Sequence, residues 1–197
     1  MARVLLVYGN PKHAGFIHSV FEGLKTTLEK AGCELRVRDL YKMGFDPVLS
    51  EEDFEAFSKN EIPADIRTEQ EHVDWAEYLI FLYPLWWHDR PAILKGWIDR
   101  VFSYGYAFGP GGKNGRMKGY LKTKSALVIQ TAGSLKEDYA VDGFDQTIEV
   151  AMVDGTLKYC GIQSSHCLTL WGVGKIATQE YQEMLERAQK AALSLLK

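Results

Sequence analysis

The chain has 197 residues, 46% of them hydrophobic and 25% charged, ordinary globular usage with enough apolar side chains for a sizeable core. A net charge of -3 supplies no general attraction for nucleic acid or for an anionic membrane surface. Cys33, Cys160 and Cys167 are scattered, with no C-x-x-C pair, which speaks for reduced thiols rather than for zinc or a disulfide framework.

In chain order, residues 3–8 (RVLLVY) form an unbroken apolar run, the pattern of a strand buried on both faces of a parallel sheet. The apolar segment at the N-terminus is shorter than a secretory signal requires. The loop Gly9-Asn10-Pro11-Lys12-His13-Ala14-Gly15 follows. Over 16–31, Phe16, Ile17, Val20, Phe21, Leu24, Leu28 and Ala31 recur at three- and four-residue steps on one helical stripe, which Gly32 ends. Residues 35–40 read as a strand, and the acidic stretch 51–78 as short helical turns.

Residues 78–83 (YLIFLY) give a second fully apolar strand, and 91–102 a helix entered at Pro91 with Ile93, Leu94, Trp97, Ile98, Val101 and Phe102 on one face. The longest apolar run, 78–87, is broken by Pro84 and falls far below the ~20 residues that span a bilayer. The Gly-rich segment 109–119 reads as a mobile loop. Strand 125–131, helix 146–159, strand 163–170 and helix 179–196 complete the pattern. Five strands alternating with helices predict an α/β fold, a doubly wound parallel sheet with helices on both faces, as a single domain over 1–197 in the cytoplasm.

Ligands of such a sheet bind at the carboxyl ends of its strands, which singles out the loops 9–16, 83–91 and 131–143. The first leads from a buried strand into a helix start and suits a phosphate, yet it matches neither G-x-G-x-x-G nor a P-loop, and a tight turn explains its glycines equally well. In the second, Trp86 and Trp87 end a buried strand, where their rings can flank a flat ligand. The third, Thr131-Ala132-Gly133-Ser134, has small residues that let the backbone come close to a ligand. No G-x-S-x-G elbow, H-E-x-x-H helix or carboxylate pair stands out, the five histidines are dispersed, and no metal site is expected.

The segments Pro84-Leu85-Trp86-Trp87 and Pro91-Ala92-Ile93-Leu94-Lys95-Gly96-Trp97-Ile98-Asp99-Arg100-Val101-Phe102 resemble the P-[LM]-x-W loop and P-x-[IL]-L-K-x-W-x-[DE]-[RK]-V-F helix of the NAD(P)H:quinone oxidoreductases with a flavodoxin-like fold. Asp39-Leu40-Tyr41, Asp65-Ile66, Glu69-Gln70, Tyr106-Ala107-Phe108-Gly109 and Tyr159-Cys160-Gly161 extend the likeness over most of the chain. The resemblance implies strand order 2-1-3-4-5 and a flavin, FMN or FAD, under the tryptophans.

It further implies that Pro84, Leu85, Trp86 and Trp87 meet the flavin ring, and that Thr131, Ala132 and Gly133 meet its pyrimidine edge with Tyr139 as the catalytic side chain beside them. Asn10, Phe16, Ile17 and His18 would line the phosphate, and Gln70 the distal part of an FAD. Where some members place a His, Asp142 or Gly143 stands here. The implied activity is two-electron, ping-pong hydride transfer from NAD(P)H to quinones, in a homodimer whose Tyr106 and Phe108 line the substrate site of the neighbouring subunit. Two other readings belong to the same fold: an electron carrier like flavodoxin, which is ordinarily more acidic than this chain, and an ancillary regulatory subunit of a potassium efflux antiporter.

Overall fold

The computed structural model describes residues 1–141 and 143–197, so Asp142 lies outside the described residues. Five parallel strands, β1 (Arg3–Tyr8), β2 (Glu34–Asp39), β3 (Tyr78–Pro84), β6 (Ser125–Thr131) and β7 (Ser164–Leu170), form one sheet in the order β2-β1-β3-β6-β7. Counting only these five strands, that is the expected order 2-1-3-4-5. A separate antiparallel ribbon pairs β4 (Phe108–Gly109) with β5 (Lys118–Gly119).

The central strands are mostly apolar because both faces are covered, although β6 also buries Ser125, Gln130 and Thr131. Val4, Leu6 and Tyr8 of β1 face Val20, Phe21, Leu24 and Leu28 of α1 (Phe16–Lys30), with Met184, Ala188 and Ala192 of α7 (Thr178–Ser194) in the same cluster. Leu5 and Val7 face the other core, which holds Val73 of α3 (Ala64–Trp75), Leu94, Trp97 and Val101 of α4 (Ala92–Val101), and Met152 and Leu157. One strand thus divides its side chains between two cores, as the two-residue pleat requires. No described helix is long and apolar enough to cross a membrane.

Three segments differ from the sequence expectation. The helix expected over 146–159 is α6 (Phe144–Glu149) running into a π-helix, Val150–Lys158. A short helix α5 (Lys136–Ala140) precedes it, too brief to show a periodicity. The segment read as a mobile loop carries the β4/β5 ribbon, anchored by a hydrogen bond from the Tyr120 hydroxyl to the Pro110 carbonyl at 2.6 Å and by Gly119, whose α-carbon lies too close to the Cys160–Gly161 backbone for a Cβ.

α4 is held from outside by two contacts. Arg100 donates to both carboxylate oxygens of Asp53 on α2 (Glu51–Ser58) at 2.8 and 3.0 Å and to Asp65 Oδ2 at 2.6 Å, tying three helices together. Gly96 lets the backbone of Pro47 lie directly on the helix, so that a Cβ there would overlap the Pro47 carbonyl. Gly96→Ala is therefore expected to cost about 1–3 kcal/mol and to lower the thermal midpoint by roughly 2–4 °C per kcal/mol in a chain of this size.

The hydrogen bond from Arg100 holds the Asp53 carboxyl below its ordinary range. A depressed folded-state value contributes stability at neutral pH that is lost as the pH falls through that value. Asp53→Asn should destabilise the protein by about 3–5 kcal/mol near neutrality, as removal of one partner of a buried pair does. In denaturant titrations the gap from the parent protein should narrow as the pH drops toward ~3.9 and below.

Candidate functional site

β1, β3 and β6 deliver their following loops to one edge of the sheet. A hydrogen bond from Leu85 N–H to the Thr131 carbonyl at 2.8 Å clips the second loop to the third, and one from Gly9 N–H to the Leu82 carbonyl at 3.0 Å ties the first to β3. The three segments singled out in the sequence are thereby adjacent.

In the first loop, Asn10 is buried, and its amide donates to the Tyr8 hydroxyl at 3.0 Å and the Lys12 carbonyl at 2.6 Å. It shapes the turn. Gly15 enters α1 at φ 82° without a side-chain cap, so no described residue accepts from the backbone N–H groups of Phe16, Ile17 and His18. The Phe16 ring leans on Tyr181. His18 Nδ1 is buried and has no hydrogen-bond partner among the described residues. Next to it His13 stands 5.8 Å away, ring to ring, and 3.7 Å from Asp39. A helix start with three unpaired donors and an unmet imidazole nitrogen is an anion site in outline.

The second loop turns back on itself. Trp86 and Asp89 exchange backbone hydrogen bonds at 2.9 and 3.1 Å across a turn whose central residues, Trp87 and His88, sit at φ 51° and 61°. Positive φ at both places is the demand of a type I′ turn, ordinarily met by Asn-Gly, and for Trp and His it is a strained arrangement of the kind found at ligand sites. The turn leaves the N–H groups of Trp87 and His88 without an acceptor among the described residues. The Trp87 side chain is 96% exposed and that of Trp86 43%, against the strong tendency of indoles to be covered. Pro84 and Leu85 lie beneath, Leu85 buried.

In the third loop, Thr131 and Ala132 are buried, and the Ala132 N–H donates to Leu170. The N–H groups of Gly133 and Ser134 have no described acceptor. Tyr139, half-buried on α5, packs edge-on against Trp171 at 5.0 Å and against the His88 ring at 4.9 Å, and Phe144 closes on His88 at 4.4 Å. His88 and Trp171 were not singled out in the sequence. Nothing in their spacing distinguishes them from ordinary loop residues, and only the turn at 86–89 brings His88 over Tyr139.

Gln70, Tyr106 and Phe108 are not brought to these loops within one chain. The Gln70 amide donates to the Val101 carbonyl and to Ser103 Oγ at 3.1 and 3.2 Å, and the Tyr106 hydroxyl donates to the Gln70 carbonyl and to Asp74, each at 3.0 Å. Phe108 packs between Tyr104 and Tyr159. They gather beside a groove of about 830 Å³ that exposes Phe54, Tyr104 and Tyr159.

Two thiols are excluded from covalent chemistry. Burial pushes Cys160 up to about 11 and Cys167 up to about 12, leaving both as neutral, unreactive packing groups. The loop edge instead presents outward-facing backbone donors, an exposed indole and an anion site at a helix start. Those are the contacts that a flat heterocycle with a phosphate tail requires, so the residues present fit a flavin nucleotide.

Comparison with known proteins shows the family. A family model described as the flavodoxin-like fold matches residues 2–192. An uncharacterised NAD(P)H oxidoreductase of Haemophilus influenzae is 32% identical over 97% of this chain and 95% of its own. The mouse ribosyldihydronicotinamide dehydrogenase [quinone] is 33% identical over 93% and 87%. Among solved structures, the NAD(P)H:quinone oxidoreductase from Methanothermobacter marburgensis superposes with a TM-score of 0.89 at 31% identity, covering 100% of this chain and 98% of that one. With its strand order, its loop edge and these relatives, the chain is an oxidoreductase that belongs to the flavodoxin-like family of NAD(P)H:quinone oxidoreductases.

Proposed function

We propose that this chain is an FMN-dependent enzyme that oxidises NAD(P)H and reduces quinones or related aromatic acceptors by two-electron, ping-pong transfer. The observation that carries the reading is the set of backbone donors at Trp87, His88, Gly133 and Ser134 with no acceptor among the described residues, on loops that leave the same edge of the sheet as the start of α1, where His18 Nδ1 likewise has no described partner. The relatives, an NAD(P)H oxidoreductase and two quinone-reducing enzymes by name, support the donor and acceptor classes.

The bound flavin supplies the hydride chemistry, taking two electrons from the nicotinamide and giving them to the acceptor. The chain's own groups do the rest. The N–H groups of Trp87, His88, Gly133 and Ser134 would hold the ring, donors placed before any charge develops. Trp86 and Trp87, with Pro84 and Leu85, would keep water from the ring, and Thr131 and Ala132 would help to hold it. Phe16, Ile17 and His18 would hold the phosphate at the start of α1, and Asn10 keeps their loop in shape. Tyr139, steadied by Trp171 and His88, presents its hydroxyl proton to the acceptor oxygen.

FMN is favoured over FAD because Gln70, the residue expected to meet an adenosine, already spends its amide on Val101 and Ser103. A second copy of the chain covers the exposed aromatic groove, bringing Tyr106 and Phe108 toward the neighbour's flavin in a cytoplasmic homodimer. Such a contact buries rings that a monomer leaves in water.

Steady-state rates test the reading. With NAD(P)H varied at several fixed menadione concentrations, double-reciprocal plots should be parallel; intersecting lines, or no turnover with a flavin-loaded protein, would contradict it. For the phosphate contact, His18→Ala should weaken FMN by roughly tenfold to a hundredfold, the loss expected of one hydrogen bond to a charged group. Riboflavin, which lacks the phosphate, should bind parent and variant alike in the same calorimetric titration.

A further inference from the structure

The second loop carries a cation that the site as described does not use. Arg90 follows the turn at 86–89, and its side chain doubles back under the loop with only 7% exposed. Its Nη1 lies 3.6 Å from Met152 Sδ, within the core between the sheet and the π-helix. It is close enough to the buried Tyr83 hydroxyl to oppose the strong rise that burial imposes there. Nε has no acceptor among the described residues.

The ion-pair partner of Arg90 among the described residues is Asp89, whose Oδ1 stands 3.6 Å from Nη1 without a hydrogen bond; that side chain is 53% exposed, so water screens the pair, and the same oxygen accepts from the backbone N–H of Arg90 at 2.7 Å. A guanidinium does not shed its proton, and a buried charge without a hydrogen-bonded counterion is costly. A second orphan lies under the same edge: Gln130 Oε1 is buried and has no partner among the described residues, in a cross-strand row with Tyr83 and Thr169. Polar groups left unmet directly beneath a ligand loop indicate that the charge serves the ligand rather than the fold.

We infer that Arg90 sets the reduction potential of the flavin: its buried guanidinium favours the negative charge that the ring gains on reduction, so the reduced cofactor is held more tightly than the oxidised one. The inference rests on the flavin reading of the site. A cation in a poorly solvated position acts strongly on charge that appears nearby, and Arg90 follows directly on the turn whose central residues, Trp87 and His88, carry the open donors. Arg90 touches no reacting atom in this arrangement and is a positioning residue in the electrostatic sense.

The test is the midpoint potential of FMN-loaded protein, measured against reference dyes, with Kd for oxidised FMN and the thermal midpoint recorded in parallel. Arg90→Met keeps the contact near Met152 and removes the charge; Arg90→Lys keeps the charge; Arg90→Gln is the neutral fallback if the methionine variant does not fold. The neutral variants should shift the potential negative by ~30 mV or more, the equivalent of a tenfold loss of preference for the reduced form. The lysine variant should stay near the parent. A neutral variant whose potential stays within about 10 mV, a factor of two, would overturn the inference even if its thermal midpoint drops, since the arginine would then be structural. A parent protein that takes up neither FMN nor FAD would remove the site reading and this inference together, whereas a flavin-loaded parent indifferent to Arg90 removes the inference alone.

Discussion

Parallel strands hand their chains over to crossover helices at one edge, and the backbone donors at that edge have no neighbouring strand to meet. In this protein two backbone hydrogen bonds settle how the three segments sit, Leu85 to Thr131 and Gly9 to Leu82, but among the described residues nothing accepts from the N–H groups of Trp87, His88, Gly133, Ser134 and the first turn of α1. Trp87, His88 and Gly133 are exposed, so their donors stand where a ligand can reach them. Everything proposed about chemistry depends on that one unsatisfied edge.

The turn at 86–89 shows how the edge is maintained. Two bulky residues occupy positive-φ positions that glycine or asparagine would take without strain. The strain persists because both ends of the turn are fixed: Leu85 is pinned to β6, and Pro91 opens α4, whose apolar face is locked into the core by Leu94, Trp97 and Val101. α4 is locked in turn by Arg100 and by the close approach of Pro47 to Gly96. Stability elements far from the chemistry thus hold the donors in place, which is why the signature helix extends well beyond the loop it supports.

Much of this was legible in the sequence. The apolar runs at 3–8 and 78–83 read as strands covered on both faces, 125–131 read as a strand, and the apolar stripe of α1 marked the face it buries. The π-helix at 150–158 was not legible, because its widened turn comes from packing against the sheet rather than from any change in apolar spacing. The β4/β5 ribbon hides among glycines whose need is close backbone contact, not mobility. At the site, the likeness to a known family picked out the loops, and the two tryptophans made the second conspicuous. It gave no hint that Gln70 would be consumed internally, that His88 would cover Tyr139, or that Arg90 would turn inward, since each of these depends on side-chain direction after a turn.

Backbone hydrogen exchange on the cofactor-free protein, with and without FMN, tests the central claim most directly. One equivalent of FMN per chain should slow exchange at Trp87, His88, Gly133 and the first turn of α1 while the interior of the sheet is unchanged. Saturating FMN and FAD that leave those amides exchanging at their original rates would contradict the account.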